Sequence, residues 1–284
     1  MSDLYFIASE DQKATSDGLA ILRGAEARHL TRVMRKKPGD EAFLFDGTGR
    51  EYRSRITSIV KDCVELEILE TREDDREPEI AVTALVALPK GERQKWALEK
   101  LTELGVRRFI PIDCERADVK FDTKVRERLE RQALEASKQC GRLKLMTITS
   151  SIGVAELPAL LEILDAKVNA ESSSLSPDAE ALRARLGDET LFDEFKPCDE
   201  VLRVIAHPLS DGDFGQRGFS ELIRDLDGRV PRGALAMVGP AGGFSHSEVE
   251  SAVAGGWTPL DLGRQVYRVE TAALVAATLF LHLG

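Results

Sequence analysis

The first quarter of the chain has the hydrophobic rhythm of strands. AFLFDG, EYRSRITSIV and CVELEIL alternate or run apolar, the pattern of strands with one buried face. Asp46-Gly47-Thr48-Gly49 and Lys61-Asp62 supply turns between them. A short helix is predicted from about Glu26 to Met34. The charged stretch TREDDREPE, closing at Pro78, is too polar to join a core and marks a domain boundary.

From Ile80 the rhythm changes. IAVTALVAL is a long β-branched run, and ERQKWALEKLTELG is an amphipathic helix closed by Gly105. RRFIPI, LKLMTI, VLRVIA, ALAMVG and TPLDLG read as further strands. TKVRERLERQALEASKQC, GFSELIRDL, HSEVESAVAGG and VETAALVAATLFLHL read as helices. Strands alternating with helices imply a mainly parallel sheet covered on both faces. The fold class expected is α/β, preceded by a small β domain: residues 1–77, then 78–284. Residues 165–200, acidic and Ser-rich, are expected to be an insertion with one exposed helix, Pro177 to Leu186.

Charge changes the picture by its distribution. The chain carries a net charge of −10, which argues against a polyanionic partner. Residues 151–200, however, hold twelve acidic and four basic side chains, so most of the excess lies in one segment. Ala27 to Gly39 holds five basic residues and no acid. No stretch reaches about 18 apolar residues, so no membrane span is expected. The N-terminus lacks a basic segment followed by a long apolar core, so no signal peptide is expected and the compartment expected is the cytoplasm. Cys63, Cys114, Cys140 and Cys198 lie too far apart for a C-x-x-C pair, so neither a disulfide framework nor a metal site is expected.

Two turns carry candidate chemistry. In Met237-Val238-Gly239-Pro240-Ala241-Gly242-Gly243-Phe244-Ser245 a strand ends in a glycine-rich turn and a helix begins, with Ser245 and Glu248 spaced as a capping box. The glycines let backbone approach a ligand closely. The turn is neither a P-loop nor G-x-G-x-x-G. It reads equally well as a tight strand-to-helix connection. In Leu260-Asp261-Leu262-Gly263-Arg264-Gln265-Val266-Tyr267-Arg268-Val269-Glu270 a second strand ends at a glycine before a helix. Arg268 and Glu270 there could be a mere surface pair. Two such turns at the carboxyl ends of neighbouring strands suggest one shared pocket.

In their order these motifs resemble the SPOUT superfamily of methyltransferases, and within it the bacterial 16S ribosomal RNA uracil-N3-methyltransferase family. His29-Leu30 to Arg35, Lys37-Pro38-Gly39-Asp40 and Asp46-Gly47 fit that family's PUA-like, RNA-binding β-barrel. Ala87-Leu88-Pro89-Lys90-Gly91, Glu99-Lys100 and Thr102 to Val106 fit the first strand and helix of the catalytic domain. Glu115-Arg116, Ala136, Gln139, Gly141 and Arg142 fit its middle; GPAGGFS and LGRQVYRVETA fit its trefoil knot. Three positions depart from the pattern: Ala241, where the family has Glu, Cys140, near its usual Ser, and Met146, near its usual Pro.

The resemblance implies S-adenosylmethionine as cofactor and a uridine N3 in 16S ribosomal RNA of the small subunit as target. It places His207, Pro208 and Leu209, then Gly239, Pro240, Ala241, Gly242 and Gly243, then Leu262, Gly263, Gln265, Val266, Tyr267 and Arg268 around the cofactor. Arg268 is the candidate for stabilising charge on the base, and Glu270 the candidate proton acceptor. Arg28, His29, Arg32, Arg35, Lys36 and Lys37 offer a phosphate-facing patch, with Lys90, Arg93, Arg116 and Arg142 as further contacts to RNA. A homodimer is implied, and the C-terminal helix, apolar nearly all round, suits burial at a subunit interface. Three alternatives stay open: another ribosomal or transfer RNA target, a non-catalytic RNA-binding relative with a degraded cofactor loop, and an α/β enzyme acting on a small nucleotide.

Overall fold

The computed structural model describes residues 4–8, 11, 18–73, 76–168, 175–187, 192–196, 200–208 and 214–283. The chain divides into two compact units: Met1–Glu77 with Leu134–Leu145, and Pro78–Ala133 with Met146–Gly284.

In the first unit, strands β1 (Leu4–Phe6), β2 (Leu19–Arg23), β3 (Glu41–Phe45), β4 (Arg50–Val60) and β5 (Cys63–Glu73) form a sheet in the order β1-β3-β4-β5-β2. Only the β1–β3 pair is parallel. β1 and β2 stand at the two ends of this order. Alternation along the strands buries Tyr5, Leu22, Leu44, Ile56 and Leu66. The short helix α1 (Gly24–Arg28) runs directly into a π-helical turn, His29–Val33, and adds Ala27 and Leu30 to that core.

Residues 134–145 pack with the first unit although they lie after position 77. Leu143 is buried with Leu4 and Phe45, and Leu134, Leu145 and Phe6 pack against them. The Leu145 N–H donates to the Gly47 carbonyl at 3.0 Å. Hence LKLMTI is not one strand: only Thr147–Ile148 pairs in a sheet.

Arg142 also departs from expectation. Its guanidinium donates from Nε and Nη2 to the two carboxylate oxygens of Glu77, at 2.8 and 2.7 Å. The two side chains are 8% and 7% exposed. A guanidinium held bidentate by a carboxylate inside a core is a structural element and not a contact to RNA.

In the second unit, β6 (Ala81–Val86), β7 (Arg108–Asp113), β8 (Thr147–Ile148), β10 (Val201–Ala206), β11 (Arg217–Gly218), β12 (Gly233–Val238) and β13 (Thr258–Asp261) form a sheet in the order β11-β13-β10-β12-β6-β7-β8, with β9 (Ile152–Gly153) also on β7. Every pairing is parallel. The sheet is covered on both faces, as the β-branched runs require. Along β12, Ala234, Ala236 and Val238 join one core with α2 (Glu92–Glu103) and α8 (Val269–Leu281). Leu235 and Met237 join the other, with α4 (Leu157–Val168), α5 (Pro177–Leu186) and α7 (His246–Ala254). The remaining helices are α3 (Thr123–Cys140) and α6 (Phe219–Asp225). No helix of the described residues is long and apolar enough to cross a membrane.

One expectation fails here because polar composition hid a buried face. The segment at 165–200 is not an exposed appendage. Ala179, Leu182 and Leu186 of α5, with Phe192 and Phe195, belong to the main core. Arg108, 3% exposed, pairs with Glu194 at 2.9 Å and lies 5.2 Å from the Phe192 ring centre. Helix α8 buries Ala272, Ala273, Ala276, Ala277 and Phe280 within its own unit and leaves Leu274, Val275, Leu279 and Leu281 partly exposed.

Breaking a buried ion pair leaves one uncompensated charge. Arg142→Met is therefore expected to lower the stability of the full chain by about 3–5 kcal/mol in urea unfolding, with most of the loss recovered in Arg142→Met/Glu77→Leu. An unchanged midpoint in the single variant would contradict the structural role.

Candidate cofactor cleft

Strand register builds the site. Ala206, the last residue of β10, lies opposite Val238 of β12 on one side and Leu260 of β13 on the other. Three parallel strands thus end side by side, where open α/β sheets bind ligands. The chain leaves the sheet there through 207–208, 239–245 and 262–268. The His207 N–H donates to the Leu260 carbonyl at 3.0 Å, and the Ala87 N–H to that of Val238 at 2.9 Å.

Between these exits lies an open cleft, at the strand ends where α/β sheets place small-molecule sites. Of the expected cofactor residues, His207, Pro208, Gly239, Pro240, Ala241 and Gly243 line it from one side. Leu262, Gly263, Gln265, Val266 and Tyr267 line it from the other. Leu209 lies outside the described residues. Gly242 and Arg268 do not line it: the Gly242 carbonyl accepts from Arg116 Nη1 at 2.9 Å, and Arg268 is the exposed N-cap of α8. Glu270, in the first turn of α8, is 6% exposed and also outside the lining.

The glycines have steric reasons. A Cβ on Gly239 would fall 2.7 Å from the Phe244 ring, which closes the floor. Gly263 has φ +137°, a conformation side chains rarely adopt, and a Cβ there would meet Tyr267 Oη at 3.4 Å. The loop before α7 is fixed from outside by Glu248: one oxygen accepts from the Ser245 N–H and the other from the Glu115 N–H, both at 2.8 Å. This is the expected capping box with a second partner added. Arg116 is therefore a brace on the Gly242 turn as well as an exposed cation. Lys90 pairs with Asp118 at 2.7 Å, and Arg93 is exposed on α2.

Several lining residues escaped the sequence reading: Ala206, Val238, Phe244, Leu260, Asp261, Val269 and Ala272. Most are apolar strand ends with no chemical signal. Asp261 had one, as an acid at the end of an apolar strand two residues before a glycine. Among the described lining residues it is the one with a formal charge. Its Oδ1 accepts from the Gly263 N–H at 3.2 Å, which fixes the carboxylate at the cleft. His207 is 4% exposed, its ring 5.2 Å from that of Phe214, which in turn lies 4.7 Å from His246. The cleft thus offers apolar walls, one carboxylate and close-packed backbone. It suits a ligand with a flat apolar part and hydroxyl or cationic groups.

In the first unit, Arg28 and Arg32 stand 3.7 and 3.6 Å from Asp62. Lys36 donates to the Glu41 carbonyl at 3.1 Å, and the Lys37 N–H to Asp40 at 2.7 Å. The His29 ring packs against Tyr5, centres 5.8 Å apart, and Arg35 is exposed.

Comparison with known proteins bears on both units. A family model described as an RNA methyltransferase domain matches residues 76–281, and one described as an RNA methyltransferase PUA domain matches residues 22–69. The chain is 29% identical over 278 residues to ribosomal RNA small subunit methyltransferase E of Bacillus subtilis, covering 96% of this chain and 93% of that one. It is 25% identical over 257 residues to the Synechocystis protein of the same name, covering 90% and 70%. In fold it is similar to ribosomal RNA small subunit methyltransferase E of Neisseria gonorrhoeae, solved bound to S-adenosylmethionine, with a TM-score of 0.68 at 23% identity over 98% of this chain and 96% of that one. With the family model spanning the whole unit that carries the cleft, the chain belongs to the RNA methyltransferase family.

Proposed function

We propose that this protein transfers the methyl group of S-adenosylmethionine to N3 of a uridine in 16S ribosomal RNA of the small subunit. The observation that carries the reading is the cleft at the ends of β10, β12 and β13. Its contents fit the cofactor: Leu260, Leu262 and Phe244 offer apolar surface for a purine, and Asp261 offers a carboxylate to ribose hydroxyls or the cationic end. S-adenosylmethionine supplies a methyl group already activated by the positive charge on its sulfur.

The chain's own task is alignment and charge. Uracil N3–H lies between two carbonyls, and its loss spreads negative charge over O2 and O4. Arg268, exposed beside the cleft-lining Tyr267, can donate to such an oxygen and stays protonated throughout. It also stands at the N-cap position of the 13-residue helix α8, whose positive end favours that negative charge. Glu270 is not assigned the proton step. Its Oε2 is buried with no hydrogen-bond partner among the described residues, and a base must reach the proton it removes. Binding to RNA through Arg28, His29, Arg32, Arg35, Lys36 and Lys37, with Lys90, Arg93 and Arg116, belongs to the same proposal. So does a homodimer, for which Val266 and Tyr267, 73% and 37% exposed, are the apolar side chains at the cleft mouth. The compartment is then the cytoplasm, where small subunits are assembled.

Labelled S-adenosylmethionine offered with small subunits from cells lacking this activity should give 3-methyluridine on nucleoside analysis. Arg268→Ala should lose about 10²–10³ of that rate, as when one donor to a developing oxyanion is removed. Absence of 3-methyluridine, or of the Arg268 effect, would count against the assignment. Asp261→Asn should raise the KM for S-adenosylmethionine roughly tenfold with kcat little changed, the mark of lost ground-state binding. For Glu270→Gln, kcat within about tenfold of the unaltered enzyme is expected; a loss of 10²–10⁴ would make it the proton acceptor after all.

A further inference from the structure

We propose that Val33 and Met34 form an apolar wedge that inserts among unpaired bases of RNA, while the surrounding cations hold the phosphates. The proposal rests on the RNA-methyltransferase reading for its ligand class and adds how the first unit grips it. Three observations meet at residues 29–35.

The helix does not simply end there. It widens into a π-helical turn, with the Met34 N–H donating to the His29 carbonyl five residues back at 3.0 Å. Such turns are rare and concentrate at functional sites. The chain then reverses through Arg35 at φ +57°, a left-handed position normally given to glycine. The Lys36 N–H closes the reversal on the Leu30 carbonyl at 3.2 Å. Such strain persists where the surrounding structure holds it. Here Leu30 and Ala27, 0% and 1% exposed, anchor the turn in the core.

The reversal thrusts two apolar side chains outward. Val33 is 65% exposed and Met34 39% exposed, and the Arg32 side chain beside them is 73% exposed. Five basic residues and no acid lie between Ala27 and Gly39. Asp62, beside this turn, stands beyond hydrogen-bond length from both Arg28 and Arg32.

Charge selects the partner. A polyanion satisfies the ring of cations, whereas an apolar protein groove would leave them facing one another. Flexible apolar side chains such as Met enter nucleic acid by sliding between or beneath bases. Paired RNA presents a deep, narrow major groove that side chains cannot enter, while loops splay their bases out. The occupant is therefore an unpaired loop of RNA.

The two contributions separate by salt. Phosphate contacts release counterions and set the slope of affinity against salt, whereas apolar insertion does not. The test measures binding of the full chain, without cofactor, to a fluorescein-labelled RNA hairpin with a uridine-rich loop and to a blunt RNA duplex of the same length. Val33→Ser/Met34→Ser should weaken hairpin binding roughly tenfold at every salt concentration, in keeping with the lost burial of two such side chains. The slope and the duplex affinity should not change. Arg32→Gln should reduce the slope by about 1 for both RNAs. Equal thermal melting of the variants excludes misfolding; if the double variant melts early, Val33→Thr with Met34→Gln takes its place. Hairpin affinity untouched by the double variant, or hairpin and duplex weakened alike, overturns the wedge. So does a dimer that dissociates in the double variant while hairpin affinity holds, since the pair would then face a second copy. Failure of the unaltered chain to bind either RNA at low salt would instead sink the RNA reading itself. Loss of methyl transfer with binding intact leaves the wedge standing.

Discussion

Pairing of β10 with β12 on one side and with β13 on the other is the constraint from which the site follows. Ala206 is in register with both Val238 and Leu260, so three strands stop in one row. Backbone groups beyond the last rung of a parallel sheet must find partners in turns, side chains or a ligand. His207 takes the Leu260 carbonyl, and the Gly243 N–H takes that of Pro240. What is left between the turns is a cleft lined by closely packed chain. β13 can lie beyond β10 only because the chain after β12 passes β10 to reach the far side, which delivers the 262–268 turn opposite the 239–243 turn.

The walls of that cleft are held from outside. Glu248 fastens both the start of α7 and the Glu115 amide, and Arg116 holds Gly242. Beneath the sheet, packing from α5, Phe192 and Phe195 completes the core. A Cβ on Gly233, the first residue of β12, would collide with the Phe195 ring. The acidic segment thus sets how closely β12 can be approached from below, a role its composition does not disclose.

Much of the second unit was legible because its signals are local. VLRVIA is β10 to the residue, and Ser245 with Glu248 forms the cap their spacing implies. The two glycine turns meet at one cleft because strand ends in a parallel sheet have few places to go. What was not legible is long-range. Arg142 finds Glu77 across 65 positions, and Arg108 finds Glu194 across 86, and nothing near either cation marks its partner. Average composition misled once. A Ser- and acid-rich segment concealed Ala179, Leu182 and Leu186 on one helical face. Asp261 was passed over because a single acid at a strand end looks like a turn former until the cleft is seen.

The central claim is that S-adenosylmethionine occupies the cleft between the turns at 239–243 and 262–268. Hydrogen exchange of the full chain, with and without saturating S-adenosylmethionine, tests it residue by residue, since a ligand that binds the folded state slows local opening where it sits. Slowed exchange confined to the amides of 207, 239, 241–243 and 261–267 is expected. Protection elsewhere, as in the groove between α4 and α5, or no protection despite measurable binding, would contradict it.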